Sequence, residues 1–510
     1  MTGPSQTAPS ERPDTATDAL ARRVPAELRP DPARVVARLF LPGEETIAGR
    51  SRIGTLVDRV LTLPEAQVGP RLSALVERFR SRHRHFPELL AEHAALVGAS
   101  LPEGTQLTAD RELLLGATFT AEYAIEGAAL CNPSAVPHPD QSGLMPGQLR
   151  VALTVRGIGE GHLSSIGFAE ALVGPGPRWE FQDRQTPAVA VGSEPGRVRL
   201  DHLRARLLDL GPLDALARIV LGSLPGEFAA AQLEEAIAAV PQRLRVAPDT
   251  QHTVDTLRRL VSACYEVTFP ADVSMGQQVL MPATPQESHG VEDARFVLFT
   301  GDDGAAEYRG TYTAYDGQRI EPRLMVSPDL RTFRAEGLAG PAAHNKGMAL
   351  FPRTIGGRYV SLCRSDGEST GVSFSPDGIR WDEPATVQVP GGFWALLQVG
   401  NCGPPIETEA GWLVLTHGVG PMRVYSVGAM LLDLDDPTRV LASLAEPLLE
   451  TDSTDQDGYV PNVVYSCGGI VHDGRLWIPH GIGDSRIGVA HVGVSELIAA
   501  MTEAPTLAAG

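Results

Sequence analysis

Apolar and polar positions alternate in two textures along this chain. From about Ala21 to Leu115 the apolar residues recur at three- and four-residue spacing, over Pro32–Phe40, Ile53–Leu63 and Gly69–Arg80. That spacing predicts helices with one buried face, and Pro30, Pro42 and Pro64 separate the pieces because proline ends a helix. The same texture returns in Leu213–Leu224, Ala230–Val240 and Val254–Val261, with Asp214 and Thr253 as expected starting residues. Elsewhere the period is two. Arg150–Arg156 and Ser165–Leu172 read as strands around a glycine-rich polar turn, and Cys131–Pro139 reads as a proline-rich loop. Beyond residue 265 the pattern is short strands and turns. Phe296–Thr300 and Tyr308–Tyr315 predict a hairpin around Gly301-Asp-Asp-Gly, with Glu292 and Asp293 directly before its first strand.

A short phrase recurs within the β-rich region. Ser327-Pro-Asp-Leu-Arg-Thr-Phe is echoed 48 residues later by Ser375-Pro-Asp-Gly-Ile-Arg-Trp. Each places a Ser-x-Asp turn a few residues before an aromatic that closes onto the next layer. A repeat near 40–50 residues is the length of a four-stranded propeller blade, and the strands on either side of the second helical block suffice for about five. A β-sandwich gives a similar density of turns. The expected architecture is mainly β: a five-bladed propeller over 116–500, a helical insertion at about 197–263, a helical extension over 21–115 and a disordered tail over 1–20.

Charge narrows the function. The chain of 510 residues carries 43 basic and 62 acidic side chains, a net charge of −19. This disfavours binding to nucleic acid or to anionic membranes. The five cysteines form no Cys-x-x-Cys pair, so neither a zinc site nor a disulfide framework is expected. The first residues lack an apolar signal core, and no run approaches the roughly 18 apolar residues of a membrane span. A cytoplasmic protein is expected.

Polar clusters mark the strand-to-turn junctions. They are Asn132, Arg156, Glu160 and His162; Glu292, Asp293 and Arg295; Lys346 and Arg364 around an apolar hairpin; and His417, Tyr425 and Asp484. Gathered in one funnel, Arg156, Lys346, Arg364 and His417 would make a positive pocket of phosphate size; taken separately, the two cations at the hairpin ends would simply reach to water. The glycines at 157–161 lack the Lys-Ser/Thr of a phosphate loop and precede a strand. No HExxH or GxSxG pattern occurs, and no oxygen-ligand spacing implies a metal.

GVEDAR with its hairpin, NKGMALFP with the later LCR, HGV, YSVGAMLLDLDDPTRV and GYVPNVVYSCGG occur in this order. Together they resemble glycoside hydrolase family 130, over about Ala121 to Leu497. The resemblance implies a five-bladed propeller and an inverting mannoside phosphorylase or a related β-mannosidase. It implies Asp293 as proton donor, reaching the glycosidic oxygen through a sugar hydroxyl. It places Arg156, Lys346, Arg364, His417 and Tyr425 at phosphate, and Asn132, Glu160, His162, Glu292, Arg295 and Asp484 around the sugar. Phosphate is then a co-substrate, and no cofactor is implied. Three positions depart from the family pattern: Ala294 stands for proline, Gly347 for aspartate and Arg353 for glutamate.

Inversion needs an acid for the leaving oxygen and a nucleophile on the opposite face. In a phosphorylase, cations hold the phosphate nucleophile; in a hydrolase a second carboxylate activates water, and Glu160, Glu292 and Glu368 are available. The leading expectation is phosphorolysis of a β-mannoside to α-mannose 1-phosphate. The alternatives are an inverting β-mannosidase and a carbohydrate-binding propeller without catalysis. Expected partners are a small oligosaccharide and phosphate, with the helical segments available for a homo-oligomer.

Overall fold

The computed structural model describes residues 20–43, 46–47, 50–190, 194–245, 248–452 and 455–503. The tail expected over residues 1–20 lies, apart from Leu20, outside the described residues. The chain is mainly β, built as a succession of antiparallel meanders. Ala129–Pro137, Leu149–Ile158 and Ser164–Val173 form one. Gly290–Thr300, Ala306–Tyr315, Ile320–Ser327 and Thr332–Gly337 form the next, joined at its outer edge by Tyr265–Thr268. Ala349–Leu350, Tyr359–Cys363, Thr370–Ser375 and Ala385–Gln388 follow, then Gln398–Asn401, Gly411–Val419, Tyr425–Leu432 and Val440–Ser443. The last meander, around Arg475–Ile482 and Arg486–Gly493, takes its outer strand from the beginning of the chain: Arg22–Leu28 pairs antiparallel with Arg486–Gly493. Gly411–Val419 is an inner strand buried on both faces, which is why its apolar residues do not alternate.

The repeated phrase does what its residues dictate. Ser327 and Ser375 end strands, and Oδ1 of Asp329 and of Asp377 each accept two backbone N–H groups of the turn, from Arg331 and Thr332 and from Ile379 and Arg380. Phe333 and Trp381 are fully buried beyond them.

The N-terminal segment corrects the helical expectation for its first stretch. Pro32–Phe40 is not a helix; Val35–Leu39 is a strand paired with Thr120–Ala124. Its adjacent β-branched valines favour extended backbone once a partner strand is present. Arg22–Leu28 is likewise a strand. Helices follow only from Arg52, as Arg52–Thr62, Glu65–Phe79, Phe86–Val97 and Ala109–Thr118. Ser51 and Thr108 cap two of them through side-chain oxygens. The last two cross where Gly116 faces the Leu90 backbone, and a Cβ there would lie 1.8 Å from the Leu90 carbonyl oxygen.

The second helical block comprises Leu200–Leu210, Ala215–Ser223, Ala230–Ala239, Gln242–Arg245 and Pro248–Ser262, packed around Leu216, Val220, Phe228 and Leu257. Asp214 caps its helix by accepting from the Ala217 N–H. Thr253 does not start one: it lies inside Pro248–Ser262, and its hydroxyl donates to Asp214 Oδ2. Cys131–Pro137 belongs to a buried strand rather than a loop; Pro133 sits in a bulge, where no ladder bond is required, and Pro137 ends the strand.

Candidate active site

Two bulges create the centre of the site. Along Gly290–Thr300 the pairing register shifts between Glu292 and Arg295, and Asp293 adopts φ 55°. Along Ala129–Pro137 it shifts between Cys131 and Ser134, and Asn132 adopts φ 51°. Asp and Asn tolerate this left-handed backbone better than most residues. A bulge re-aims side chains away from strict alternation, and here it brings them together: Asn132 Nδ2 donates to Asp293 Oδ1 at 2.5 Å. Glu292 and Asp293 therefore lie within the first strand of the hairpin, at the end away from its turn, and not before it as expected.

Cations surround this pair. Arg156 donates through Nη2 to Glu292 Oε1 at 2.6 Å and through Nε to Ser164 Oγ at 2.9 Å, while its Nη1 stands 3.6 Å from Asp293 Oδ1. Lys346 Nζ takes the other Glu292 oxygen at 2.5 Å. Arg295, 1% exposed, donates to the backbone carbonyls of Cys402 and Asp293 and to the Tyr465 hydroxyl, at 2.8, 2.8 and 2.9 Å. Its guanidinium thus holds the Asp293 backbone in place.

The facing wall comes from the next meanders. Arg364 Nη1 donates to His417 Nε2 at 3.0 Å. The His417 ring lies parallel to Tyr425, with centroids 6.4 Å apart, and edge-on to Tyr465 at 4.9 Å. Gly400 leaves room behind them, since a Cβ would meet His417 Cε1 at 2.5 Å and Arg364 Cδ at 3.2 Å and force a shift. Asn401 Nδ2 donates to the carbonyl of Gly347, next to Lys346, and so ties the two walls.

Burial and neighbouring charge set the protonation states. Burial disfavours the Asp293 carboxylate, but Arg156, Lys346, Arg295 and the Asn132 amide outweigh it and hold the carboxyl below the usual range. Asp484 goes the other way: desolvation, reinforced by Asp293 and only partly offset by Arg156, pushes it up to about 6. Burial, with Arg364 and Arg295 nearby, drives His417 well below its ordinary value. Both effects favour the neutral imidazole over the cation.

Glu160 and His162 occupy an exposed hairpin tip at the rim, and His162 Nδ1 lies 2.6 Å from the Tyr459 hydroxyl. That tip has a twin. Gly159–Leu163 and Gly420–Val424 close with the same two backbone hydrogen bonds and the same left-handed pair, Gly161 and His162 in one and Met422 and Arg423 in the other. Arg156 and His417 each stand three residues before the tip's first glycine, in equivalent positions of two meanders. Glu368 is exposed, and Arg353 pairs with Glu407 while stacking over Trp412. Ala294 lies buried in the Asp293 bulge. Sequence reasoning misses Tyr465, Ser164, Gly400 and Asn401; of these, Tyr465 lies within the GYVPNVVYSCGG phrase and was within its reach.

The family model described as β-1,4-mannooligosaccharide phosphorylase of glycoside hydrolase family 130 matches residues 271–503. A 1,2-β-oligomannan phosphorylase of Thermoanaerobacter sp. (strain X514) is 36% identical over 223 residues, 42% of this chain and 72% of that protein. A β-1,2-mannobiose phosphorylase of the same organism is 34% identical over 216 residues, 42% of this chain and 70% of that protein. A solved structure of the Listeria innocua β-1,2-mannobiose phosphorylase with β-1,2-mannobiose is 20% identical, covers 74% of this chain and 92% of that chain, and gives a TM-score of 0.43. With the Glu-Asp-x-Arg bulge and its ring of cations, the family-model match and the two Thermoanaerobacter relatives give one conclusion: the chain belongs to glycoside hydrolase family 130.

Proposed function

We propose that this enzyme is an inverting phosphorylase that cleaves a β-mannoside with inorganic phosphate and releases α-mannose 1-phosphate. The observation that carries the reading is the state of the carboxylates. Hydrolysis with inversion needs a free carboxylate to activate water. Of the three glutamates near the motifs, Glu292 has both oxygens on Arg156 and Lys346, and Glu160 and Glu368 are exposed with no described contact to the cluster; the remaining carboxyl, Asp484, is pushed up to about 6 by burial and is assigned to the sugar side. Cations dominate instead, as a phosphate nucleophile requires.

In this reading phosphate sits among Lys346, Arg364, Tyr425 and His417, with Arg156 beside it. A phosphate oxygen attacks the anomeric carbon as the bond to the leaving sugar breaks. The leaving oxygen takes its proton from Asp293 by way of a sugar hydroxyl, and attack from the face opposite the leaving group inverts the anomeric centre. Asn132 and Asp484 line the sugar side. Without ligand Asp293 is ionised at neutral pH, so phosphate binding must recharge it: a dianion offsets Arg156 and Lys346 and raises the affinity of Asp293 for a proton. Phosphate binding is then coupled to proton uptake. The fold reading that goes with this site is a five-bladed propeller with the helices outside it. Its support is the pairing of Arg22–Leu28 with Arg486–Gly493, which joins the two ends of the β region, and the parallel bridges Gly290 to Ser164, Thr300 to Arg353 and Tyr425 to Val463 between meanders.

Phosphorus NMR of a reaction with β-mannobiose is the test. Appearance of α-configured mannose 1-phosphate, abolished in Asp293→Asn, supports the reading; a β-configured product or unchanged turnover in Asp293→Asn refutes it.

A further inference from the structure

The second helical block meets the β region at a polar cluster remote from the site above. His202, on Leu200–Leu210, is 8% exposed, and neither ring nitrogen has a hydrogen-bond partner. Its Nδ1 faces Glu336 Oε2 at 3.4 Å, and its Nε2 faces Asp377 Oδ2 at 3.8 Å. Asp201 adds a third carboxylate, so that ligand atoms of Asp201, His202 and Asp377 all lie within 4.8 Å of one another. The cluster opens on a cleft of about 650 Å³ also lined by Arg199, Arg204 and Arg380.

We propose that His202 Nε2, Asp377 Oδ2 and Asp201 form a binding site for a divalent transition ion of the zinc type. Zinc binds imidazole nitrogen and carboxylate oxygen at about 2.0–2.2 Å, so one ion fits between two atoms 3.8 Å apart. Imidazole among the ligands disfavours calcium and magnesium, which take oxygen. A ligating histidine usually gives its other ring N–H to a carboxylate, which fixes the tautomer, and Glu336 stands at Nδ1 for that purpose. Asp377 is prepared by the turn: Oδ1 is held by the Ile379 and Arg380 N–H groups at 2.9 Å, which leaves Oδ2 turned to the histidine. Asp201 is shared with Arg199, whose Nε and Nη2 reach it at 3.1 and 2.5 Å; the ion draws one oxygen from that pair, and water from the cleft completes the shell. The ion would staple the helical block to Thr332–Gly337 and to the turn after Ser375, independently of the reaction.

The test is zinc uptake by untagged full-length protein, stripped with chelator, titrated with zinc chloride and followed by elemental analysis and melting temperature. The expected result is one zinc per chain with a raised melting temperature. Affinity should fall at least tenfold in His202→Gln and in Asp377→Asn, which keeps the turn's acceptor, and about 10–100-fold in Glu336→Gln. Zinc uptake equal in wild type and Asp377→Asn, or a melting temperature indifferent to zinc while His202→Gln is destabilised, would overturn the site and leave His202 as an ion-pair clamp.

Discussion

Replacing Arg156 by Met keeps most of the side chain's apolar length and removes its charge from between two buried carboxylates. Glu292 and Asp293 are 5% and 7% exposed, and Arg156 touches them at 2.6 and 3.6 Å. Removing one member of a buried ion pair costs about 3–5 kcal/mol. Lys346 remains on Glu292 and Asn132 on Asp293, which places the loss near the lower end, about 3 kcal/mol at pH 7.5. The deficit must depend on pH in a definite sense. In wild type the Asp293 carboxyl is held below its unfolded value, so its contribution is present above the unfolded pKa and disappears as pH falls through the folded one. In the variant Arg156, the strongest favourable neighbour of Asp293, is gone, its folded pKa rises, and its carboxyl protonates as the solution becomes mildly acidic. The gap between the proteins is therefore widest at neutral pH and narrows toward pH 4. Denaturant midpoints of both proteins at pH 7.5 and 4.5 measure it. A loss under about 1 kcal/mol, as for an exposed pair, or a gap that is the same at both pH values, would refute the buried charge network.

Lys346→Met should raise the KM for phosphate about 10–100-fold, the loss of one charge-assisted contact of roughly 1.5–3 kcal/mol, with a far smaller effect on sugar affinity; steady-state kinetics with each substrate varied separates the two. Gly400→Ala should weaken phosphate binding as well, because its methyl drives His417 and Arg364 apart, and should cost about 1–3 kcal/mol of stability from overpacking; an unchanged phosphate KM would show that the pair is not at phosphate. Asp484, raised to about 6 when folded, contributes stability present below its unfolded value and lost as pH rises through 6. Asp484→Asn should therefore melt above wild type at pH 7.5 but not at pH 4, and the reverse order would contradict its desolvation.

Much of the fold is legible in the residue pattern. Asp329 and Asp377 announce their turns because an Asp two residues after Ser accepts the following backbone N–H groups locally, and Phe333 and Trp381 are large enough to require burial. Pro32–Phe40 misleads because a short stretch with two adjacent valines fits either period, and only pairing with Thr120–Ala124 decides it. The kinship of Gly159–Leu163 and Gly420–Val424 is invisible in sequence because hydrogen bonds and φ angles, not side chains, are what they share. At the site, the Glu-Asp-x-Arg and Asn-Lys-Gly motifs point to Asp293 and Lys346, whereas the lowered pKa of His417 follows from burial and its arginine neighbours, and the engaged guanidinium of Arg295 from three hydrogen bonds that only the fold brings together. Asn132 and Asp293 meet through two bulges, and a bulge breaks the alternation that sequence reading relies on.

In the proposed reaction phosphate, not water, is the nucleophile. Incubating the enzyme with β-1,2- and β-1,4-linked mannobiose over a series of phosphate concentrations, with free mannose and mannose 1-phosphate measured separately, tests it directly. Phosphorolysis yields mannose 1-phosphate in step with phosphate, one acceptor sugar released for each, and no cleavage without phosphate. Two free sugars per cleavage, at a rate indifferent to phosphate, would contradict it.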